Sequence, residues 1–179
     1  MTTVVQEMPE HFGSIRRLTI DAFAASNFGH NGEAELIDSI RNQCDNILSL
    51  VAIDDHCVVG HILFSPTTIR SKSSTIYGMG LAPMAVLPSY QKRGVGSMLV
   101  REGLQHLTKS DSAFTIVAGH PEYYLRFGFL PAQRFSITHG FADMPQDILF
   151  IHLPDETLIS ELTGGLVYYH SSFGPQHDE

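Results

Sequence analysis

The chain has 179 residues, 43% of them hydrophobic and 17% charged, which is typical of one globular domain spanning residues 1–179. Its formal net charge of −8 excludes the broad basic face that nucleic-acid binding requires, so any anion site must be local. We expect no secretory leader and no membrane span, because no basic stretch precedes an apolar one near residue 1 and no apolar run of about 18 residues occurs. Cys44 and Cys57 lack CxxC spacing. We therefore expect both to be core thiols in a reducing cytoplasm. Because no apolar run is long enough to span a membrane, we also expect no membrane partner.

The first half of the chain predicts a strand, two helices and a hairpin. A short strand lies near Thr3–Val5, and apolar residues at helical spacing then indicate two amphipathic helices, the second beginning near Asn31. Two β-branched apolar runs follow, separated by the turn-forming residues 54–56. Such runs around a polar turn predict an antiparallel hairpin.

The segment STIYGMGLAPMAVLP predicts a third central strand with irregular pairing. Gly78, Gly80 and Pro83 favour a bulge or a splayed edge, although the same residues also fit a strand that bends only for packing. The elements expected after it are a helix over 94–107, a strand over 113–118, a short helix over 122–127, strands over 136–139 and 147–152, a short helix over 158–162 and a strand over 166–169. The order is mixed α/β, and the tail from Gly174 is expected to fray.

The stretch VLPSYQKRGVGSMLVREGL links that strand to the following helix. The first amides of a helix have no intrahelical acceptors, and the helix dipole adds about half a positive charge there. Lys92 and Arg93 supply cations, and Gly94 and Gly96 let an anion approach the amides. The stretch therefore predicts an anion site, although a tight turn with solvated cations fits the same residues. It lacks the endings of a P-loop and of a dinucleotide fingerprint.

Two motifs in this region carry a family resemblance. The run from Gln91 to Gly96 resembles the Gln/Arg-x-x-Gly-x-Gly/Ala pyrophosphate loop of the GCN5-related N-acetyltransferase (GNAT) superfamily. The run from Tyr124 to Phe129 resembles that family's Tyr-x-x-x-Gly-Phe segment, and GHPEYYLRFGFLPA is similar to its YhbS-like branch of predicted acetyltransferases. The resemblance is sharp over 78–131. It implies the GNAT fold, an α/β domain whose bent, mixed sheet of six or seven strands is flanked by helices and whose splayed central strands admit acyl-CoA.

The resemblance implies acetyl-CoA as the donor and a role for each matching residue. The pyrophosphate would be held by the loop residues Gln91, Lys92, Arg93, Gly94, Val95 and Gly96. Pantetheine would be bound, and the acetyl carbonyl polarised, by the strand residues Met84, Ala85 and Val86. Tyr124 would protonate the departing thiolate. Tyr123 is its rival, since only one of two neighbours on a helix can face the sulfur, and either tyrosine could instead be a core aromatic.

The residue that deprotonates the acceptor is left open. The candidates, each of which also fits a purely structural role, are Glu33, Glu35, His61, His120 and Glu122. A chain of water molecules could serve equally well. The ten histidines form no standard ligand pattern, so no metal is expected.

The function implied is a cytoplasmic, acetyl-CoA-dependent N-acetyltransferase. An amine on a small molecule or a protein would attack the acetyl group directly in a ternary complex, and a homodimer is compatible with this activity. One alternative is a non-catalytic acyl-CoA-binding sensor or interaction module that kept the loop. Another is acylation of an amine on a protein or a tRNA, of which the acidic composition disfavours the tRNA version.

Overall fold

A computed structural model describes residues 1–24, 32–110 and 112–177. Asn31, predicted near the start of the second helix, lies outside these ranges. The strands of the described part are β1 Thr3–Gln6, β2 Leu48–Asp54, β3 Cys57–Arg70, β4 Thr75–Val86, β5 Thr115–Ala118, β6 Leu130–Pro131, β7 Thr138–His139, β8 Leu149–His152 and β9 Leu166–Tyr168. Its α-helices are α1 Phe12–Ala24, α2 Glu33–Gln43, α3 Val95–Lys109, α4 Pro121–Tyr124 and α5 Ile159–Leu162. The predicted mixed α/β order is confirmed.

The chain forms two compact units. The first comprises Met1–Phe64 and Ala82–His106, and the second comprises Ser65–Leu81 and Leu107–Glu179. Strands β3 and β4 therefore each contribute residues to both units. Among the described helices, none is long and apolar enough to cross a membrane.

The first unit is built on three antiparallel strands in the order β1, β2, β3. The predicted hairpin joins β2 to β3, and both turn residues, Asp55 and His56, have positive φ angles of 47° and 62°. Two successive positive φ angles match the right-handed twist of the flanking strands. The apolar faces of the helices supply buried side chains, among them Ile15, Leu18, Ile37 and Ile40 from α1 and α2, and Leu99 and Val100 from α3.

The second unit combines parallel and antiparallel pairing. β4 runs parallel to β5 through Met79↔Thr115 and Gly80↔Ile116, and β8 pairs antiparallel with both β5 and β6. β9 pairs antiparallel with the end of β3 and parallel with β7. A Cβ on Gly78 would lie 2.6 Å from the Phe114 carbonyl oxygen. Close packing against Phe114 therefore requires a glycine at this position.

The tail of the second unit is ordered where fraying was expected. The side-chain amide of Gln176 accepts from the Tyr169 N–H at 2.8 Å and donates to the Tyr169 carbonyl at 3.0 Å. The His177 N–H donates to the Gly140 carbonyl at 2.9 Å. The prediction of a frayed tail is therefore wrong up to His177, because backbone groups of the unit capture it. The prediction of two core thiols is also wrong, since Cys57 is exposed beside the hairpin turn and Cys44 is half-buried.

Candidate active site

The predicted anion loop lies in the first unit, between the end of β4 and the start of α3. A 3₁₀ turn over Pro88–Tyr90 follows the strand. The N–H of Met98 donates to the Gly94 carbonyl at 3.0 Å, as in a regular helix. The amides at 95–97 precede this bond and so have no intrahelical acceptor. Lys92 and Gly94 have φ angles of 59° and 88°, and this left-handed backbone explains the glycine.

Side chains of the loop itself fix its shape. The Gln91 amide donates to the Val86 carbonyl at 3.1 Å, which fastens the loop to the end of β4. The Arg93 guanidinium donates to the Ser89 carbonyl at 3.3 Å and lies 4.8 Å from the centre of the Tyr90 ring. Lys92 and Arg93 are both exposed. The loop is thus anchored while its two cations stay accessible to an anion in solvent.

An open pocket of about 140 Å³ adjoins this loop. Four residues predicted to bind the cofactor line it, namely Met84, Ala85, Val86 and Gln91. Its other wall consists of Ala22 and Phe23 on α1. Sequence reasoning missed these two, because their helical spacing marks them only as part of a buried face. Ala22 and Ala85 also belong to one small apolar cluster with Leu18.

Tyr124, the predicted acid, is buried in the second unit, with 8% of its surface exposed. The short helix α4 begins at Pro121, and the Tyr124 N–H donates to the His120 carbonyl at 3.2 Å. The Tyr124 ring packs edge-on against Tyr123 and Phe129, with centroids 5.1 and 5.5 Å away. Burial, with a smaller contribution from Tyr123, raises the pKa of Tyr124 well above its ordinary value. The phenol is therefore protonated at neutral pH, as a proton donor must be.

Two glycines shape the surroundings of this tyrosine. A methyl group on Gly119 would overlap the Tyr124 ring, so the residue that follows β5 must have no side chain. Gly128 ends the following 3₁₀ turn with a φ of 84°, which explains the glycine of the second motif. Tyr123, the rival acid, is half-buried, and the Arg126 guanidinium lies 4.8 Å from its ring centre.

The candidates for the base differ in burial and in the groups that contact them. His61 is fully buried in the first unit, where its Nε2 atom lies 2.8 Å from the Ser49 hydroxyl. Glu35 is engaged by Arg16, and a hydrogen bond from its own backbone N–H, followed by that guanidinium, lowers the pKa of its carboxyl. His120 and Glu122 are exposed next to Tyr124 in the chain, and Glu33 is half-buried at the start of α2. Over the described ranges, no group of His, Cys, Asp and Glu side chains could hold a metal ion.

Comparisons with known proteins point to one family. Residues 9–132 match the family model of the acetyltransferase (GNAT) domain. The chain is 32% identical over 155 residues to the uncharacterised N-acetyltransferase YhbS of Escherichia coli K12, covering 86% of this chain and 90% of the relative. A crystal structure of E. coli YhbS with CoA superposes with a TM-score of 0.84 at 28% identity, covering 96% of this chain and 91% of that one.

A second solved structure is similar over its whole length. It is a GNAT family acetyltransferase from Brucella melitensis in complex with acetyl-CoA, with a TM-score of 0.79 and 30% identity over 97% of this chain and 99% of that one. The family match covers more than half of the chain, and both structures extend the likeness to nearly all of it. The chain therefore belongs to the GNAT family of acetyltransferases.

Proposed function

We propose that this protein transfers an acetyl group from acetyl-CoA to an amine acceptor by direct attack within a ternary complex, in the cytoplasm and as one domain spanning residues 1–179. The observation that carries the proposal is the local structure of the two motifs. The first ends in helix amides without acceptors, and the second holds a buried, protonated phenol. The complexes of the two relatives with CoA and acetyl-CoA support this choice of donor.

The residues of the first unit fit such a donor. The amides at the start of α3, with Lys92 and Arg93 beside them, suit a pyrophosphate. The pocket along 84–86 has apolar walls and main-chain polar groups on one side, and this lining suits a narrow, chain-like ligand. A backbone N–H of this strand would donate to the thioester oxygen, and such a donor contributes roughly 2.7–4 kcal/mol to transition-state stabilisation.

The second unit would supply the proton. Acetyl-CoA provides a thioester, whose carbonyl carbon an amine can attack. Tyr124 would donate its phenolic proton to the thiolate that leaves. The raised pKa of Tyr124 keeps that proton in place until a strongly basic group forms beside it.

Binding is tested by titrating the protein calorimetrically with acetyl-CoA and with free CoA. We expect affinity in the micromolar range. Replacing Lys92 and Arg93 together by alanine should weaken it about tenfold or more, because each charged hydrogen bond to phosphate contributes about 1.5–3 kcal/mol. Lys109→Ala, at the other end of α3, is the control and should bind as the wild type does. Absence of binding by a folded sample would refute the proposal.

Turnover is tested by following CoA release from acetyl-CoA in the presence of diamines, amino sugars and peptides with free N-termini. Tyr124→Phe should lower kcat by roughly 10²–10⁴-fold while the affinity for acetyl-CoA is kept, as expected for loss of a general acid. Tyr123→Phe is the matched control and should keep most of the activity. A non-catalytic acyl-CoA-binding module would bind the donor and release no CoA with any amine.

A further inference from the structure

The pocket beside the anion loop has a wall to which neither sequence motif contributes. Ala22 and Phe23, in the last turn of α1, form this wall and face the strand residues 84–86 across the pocket. Ala22 is buried in one apolar cluster with Leu18 and Ala85, which attaches α1 to β4. Phe23 packs against the same cluster but is only half-buried. Because Phe23 also lines the pocket, part of its side chain is available to a ligand there.

The pocket and the loop next to it differ in chemistry. Among the described residues that line the pocket, none is charged and only Gln91 is polar. The Gln91 amide donates to the Val86 carbonyl, so the strand already uses this donor. In the loop, Lys92 and Arg93 are exposed beside the first amides of α3. Since Gln91 belongs to both the pocket and the loop, a ligand that spans them would have one uncharged, narrow end and one anionic end.

An uncharged arm that lies along 84–86 would also contact Phe23. The pocket has a volume of about 140 Å³, and the strand and the end of α1 are its two walls. A chain that fills so small a space contacts both walls and removes part of the Phe23 ring from water. Such burial favours binding roughly in proportion to the apolar area removed. The anionic end of the ligand would gain nothing from this contact, because its binding groups are those of the loop.

We propose that Phe23 is a binding residue for the acyl donor, and that its ring packs against the pantetheine arm of acetyl-CoA and keeps the arm on strand residues 84–86. The inference rests on the proposed function. Pantetheine is the uncharged, narrow half of CoA, and phosphorylated ADP is the anionic half. The two halves thus match the pocket and the loop. Phe23 contributes to the affinity for the arm and adds nothing to the affinity for the nucleotide.

The test titrates the protein calorimetrically with CoA and, separately, with the phosphorylated ADP half of CoA, by competition with CoA where the heat is small. Phe23→Ala should weaken the binding of CoA about tenfold and leave the binding of the nucleotide half unchanged, because only the arm reaches the ring. Ile20→Ala, which removes an exposed apolar side chain one turn earlier in α1, is the matched control and should bind both ligands as the wild type does. Replacing Lys92 and Arg93 by alanine should weaken both ligands.

Thermal unfolding without ligand shows whether each variant is folded. If Phe23→Ala is not, Phe23→Leu takes its place, since leucine keeps an apolar contact with the cluster and lacks the ring; it should weaken CoA binding about threefold. Unchanged affinity of the folded Phe23 variant for CoA would overturn the inference, as would an equal loss of affinity for both ligands.

The two proposals fail in different ways. If the folded wild type binds neither CoA nor its nucleotide half, the proposed function itself fails. If the wild type binds CoA and the Phe23 variant binds it equally well, the inference fails alone.

Discussion

The first unit surrounds the Glu7 carboxylate with hydrogen bonds, whereas the described part of the second unit leaves two of its buried hydroxyls without them. Glu7 accepts from the Arg41 guanidinium at 2.8 and 3.0 Å and from the Ser49 hydroxyl at 2.6 Å. The Ser49 hydroxyl donates its only proton to Glu7, so in the 2.8 Å contact with His61 the Ser49 oxygen must be the acceptor. The donor is therefore the Nε2–H group of His61. Burial lowers the pKa of His61, which therefore stays neutral, and only the Nδ1 atom of this cluster of four residues lacks a partner in the described chain.

In the second unit the hydroxyls of Ser65 and Tyr169 are buried with no hydrogen bond in the described chain. A buried hydroxyl that stays unpaired costs about 1–3 kcal/mol. The two units thus differ in whether their buried polar groups are hydrogen-bonded. Saturated polar groups add hydrogen bonds to the fold, whereas a buried hydroxyl without a partner in the described chain adds none.

The largest effect is expected from breaking the saturated cluster. Glu7→Ala removes three hydrogen bonds and leaves Arg41, with 13% of its side chain exposed, paired with Asp38 alone. The free energy of unfolding should fall by about 3–5 kcal/mol, as when one partner of a buried ion pair is removed. Denaturant titration measures it. Glu10→Ala, on an exposed residue of the same segment, should change stability by less than about 0.5 kcal/mol, and similar values for the two variants would contradict the description.

Acid should weaken the same cluster. Burial acts to raise the pKa of Glu7, but the nearby His61 imidazole, whose Nε2 atom lies 3.5 Å from the carboxylate, and the hydrogen bonds from Arg41 and Ser49 together lower it from 4.5 to about 2. A carboxyl whose pKa is lowered by folding stabilises the protein above its unfolded pKa. That contribution, about 2–3 kcal/mol, is lost as the pH falls from 4.5 towards 2. The lowered pKa of His61 acts in the same direction below pH 6.5.

Denaturant titrations at several pH values from 7 to 2 measure this dependence. Glu7→Gln should be less stable at neutral pH and should lose less stability below about pH 4.5. An unchanged slope in Glu7→Gln would mean that other carboxyls cause the acid sensitivity.

Displacing a phenol of the second unit should affect activity more than stability. In Gly119→Ala the added methyl group overlaps the Tyr124 ring, which must shift within its packed site. We expect kcat to fall tenfold or more, while the unfolding free energy falls by about 1–3 kcal/mol. Gly13→Ala, at an exposed helical position with open space around its Cβ, is the control and should keep full activity. Full activity in Gly119→Ala would show that the position of Tyr124 is not critical.

The smallest effect is also the most direct comparison of the units. Ser49 and Ser65 are both buried, with 4% and 0% of their surface exposed, but only the Ser49 hydroxyl is hydrogen-bonded in the described structure. Ser49→Ala should lower the unfolding free energy by about 1–3 kcal/mol, because it removes the hydrogen bond that the Ser49 hydroxyl donates to Glu7. Ser65→Ala should be neutral or slightly stabilising. Equal losses, measured by denaturant titration, would remove the distinction between the two units.

Local patterns in the sequence predicted most of the fold and the anion loop. Helical spacing of apolar residues marked α1 and α2, and polar turn chemistry marked the hairpin at 54–56. The shape of the loop at 91–96 could be predicted because consecutive residues form it, including the first amides of one helix. Tyr124 was singled out through its motif, and the structure places it in the buried interior of the second unit, while its role as the acid stays a prediction.

The remainder depends on contacts between distant parts of the chain. Tyr169 meets Gly80 across the second unit, and Gln176 folds back to hold Tyr169, without any local spacing that signals either contact. Phe23 looked like an ordinary core residue, since periodicity shows which face of a helix is buried but not whether a pocket adjoins it. Cys57 was expected inside because cysteine is commonly buried, yet the hairpin turn places it at the surface.

The pairing of Gln176 with the main chain of Tyr169 has a practical consequence for anyone who prepares this protein. Trimming by a carboxypeptidase, or a bulky fusion placed after residue 177, would disturb the support of Tyr169 without touching the loop at 91–96. A clipped sample should therefore melt at a lower temperature than the intact chain, because it loses both hydrogen bonds to the Tyr169 main chain. Mass spectrometry of this segment therefore belongs beside every measurement of stability.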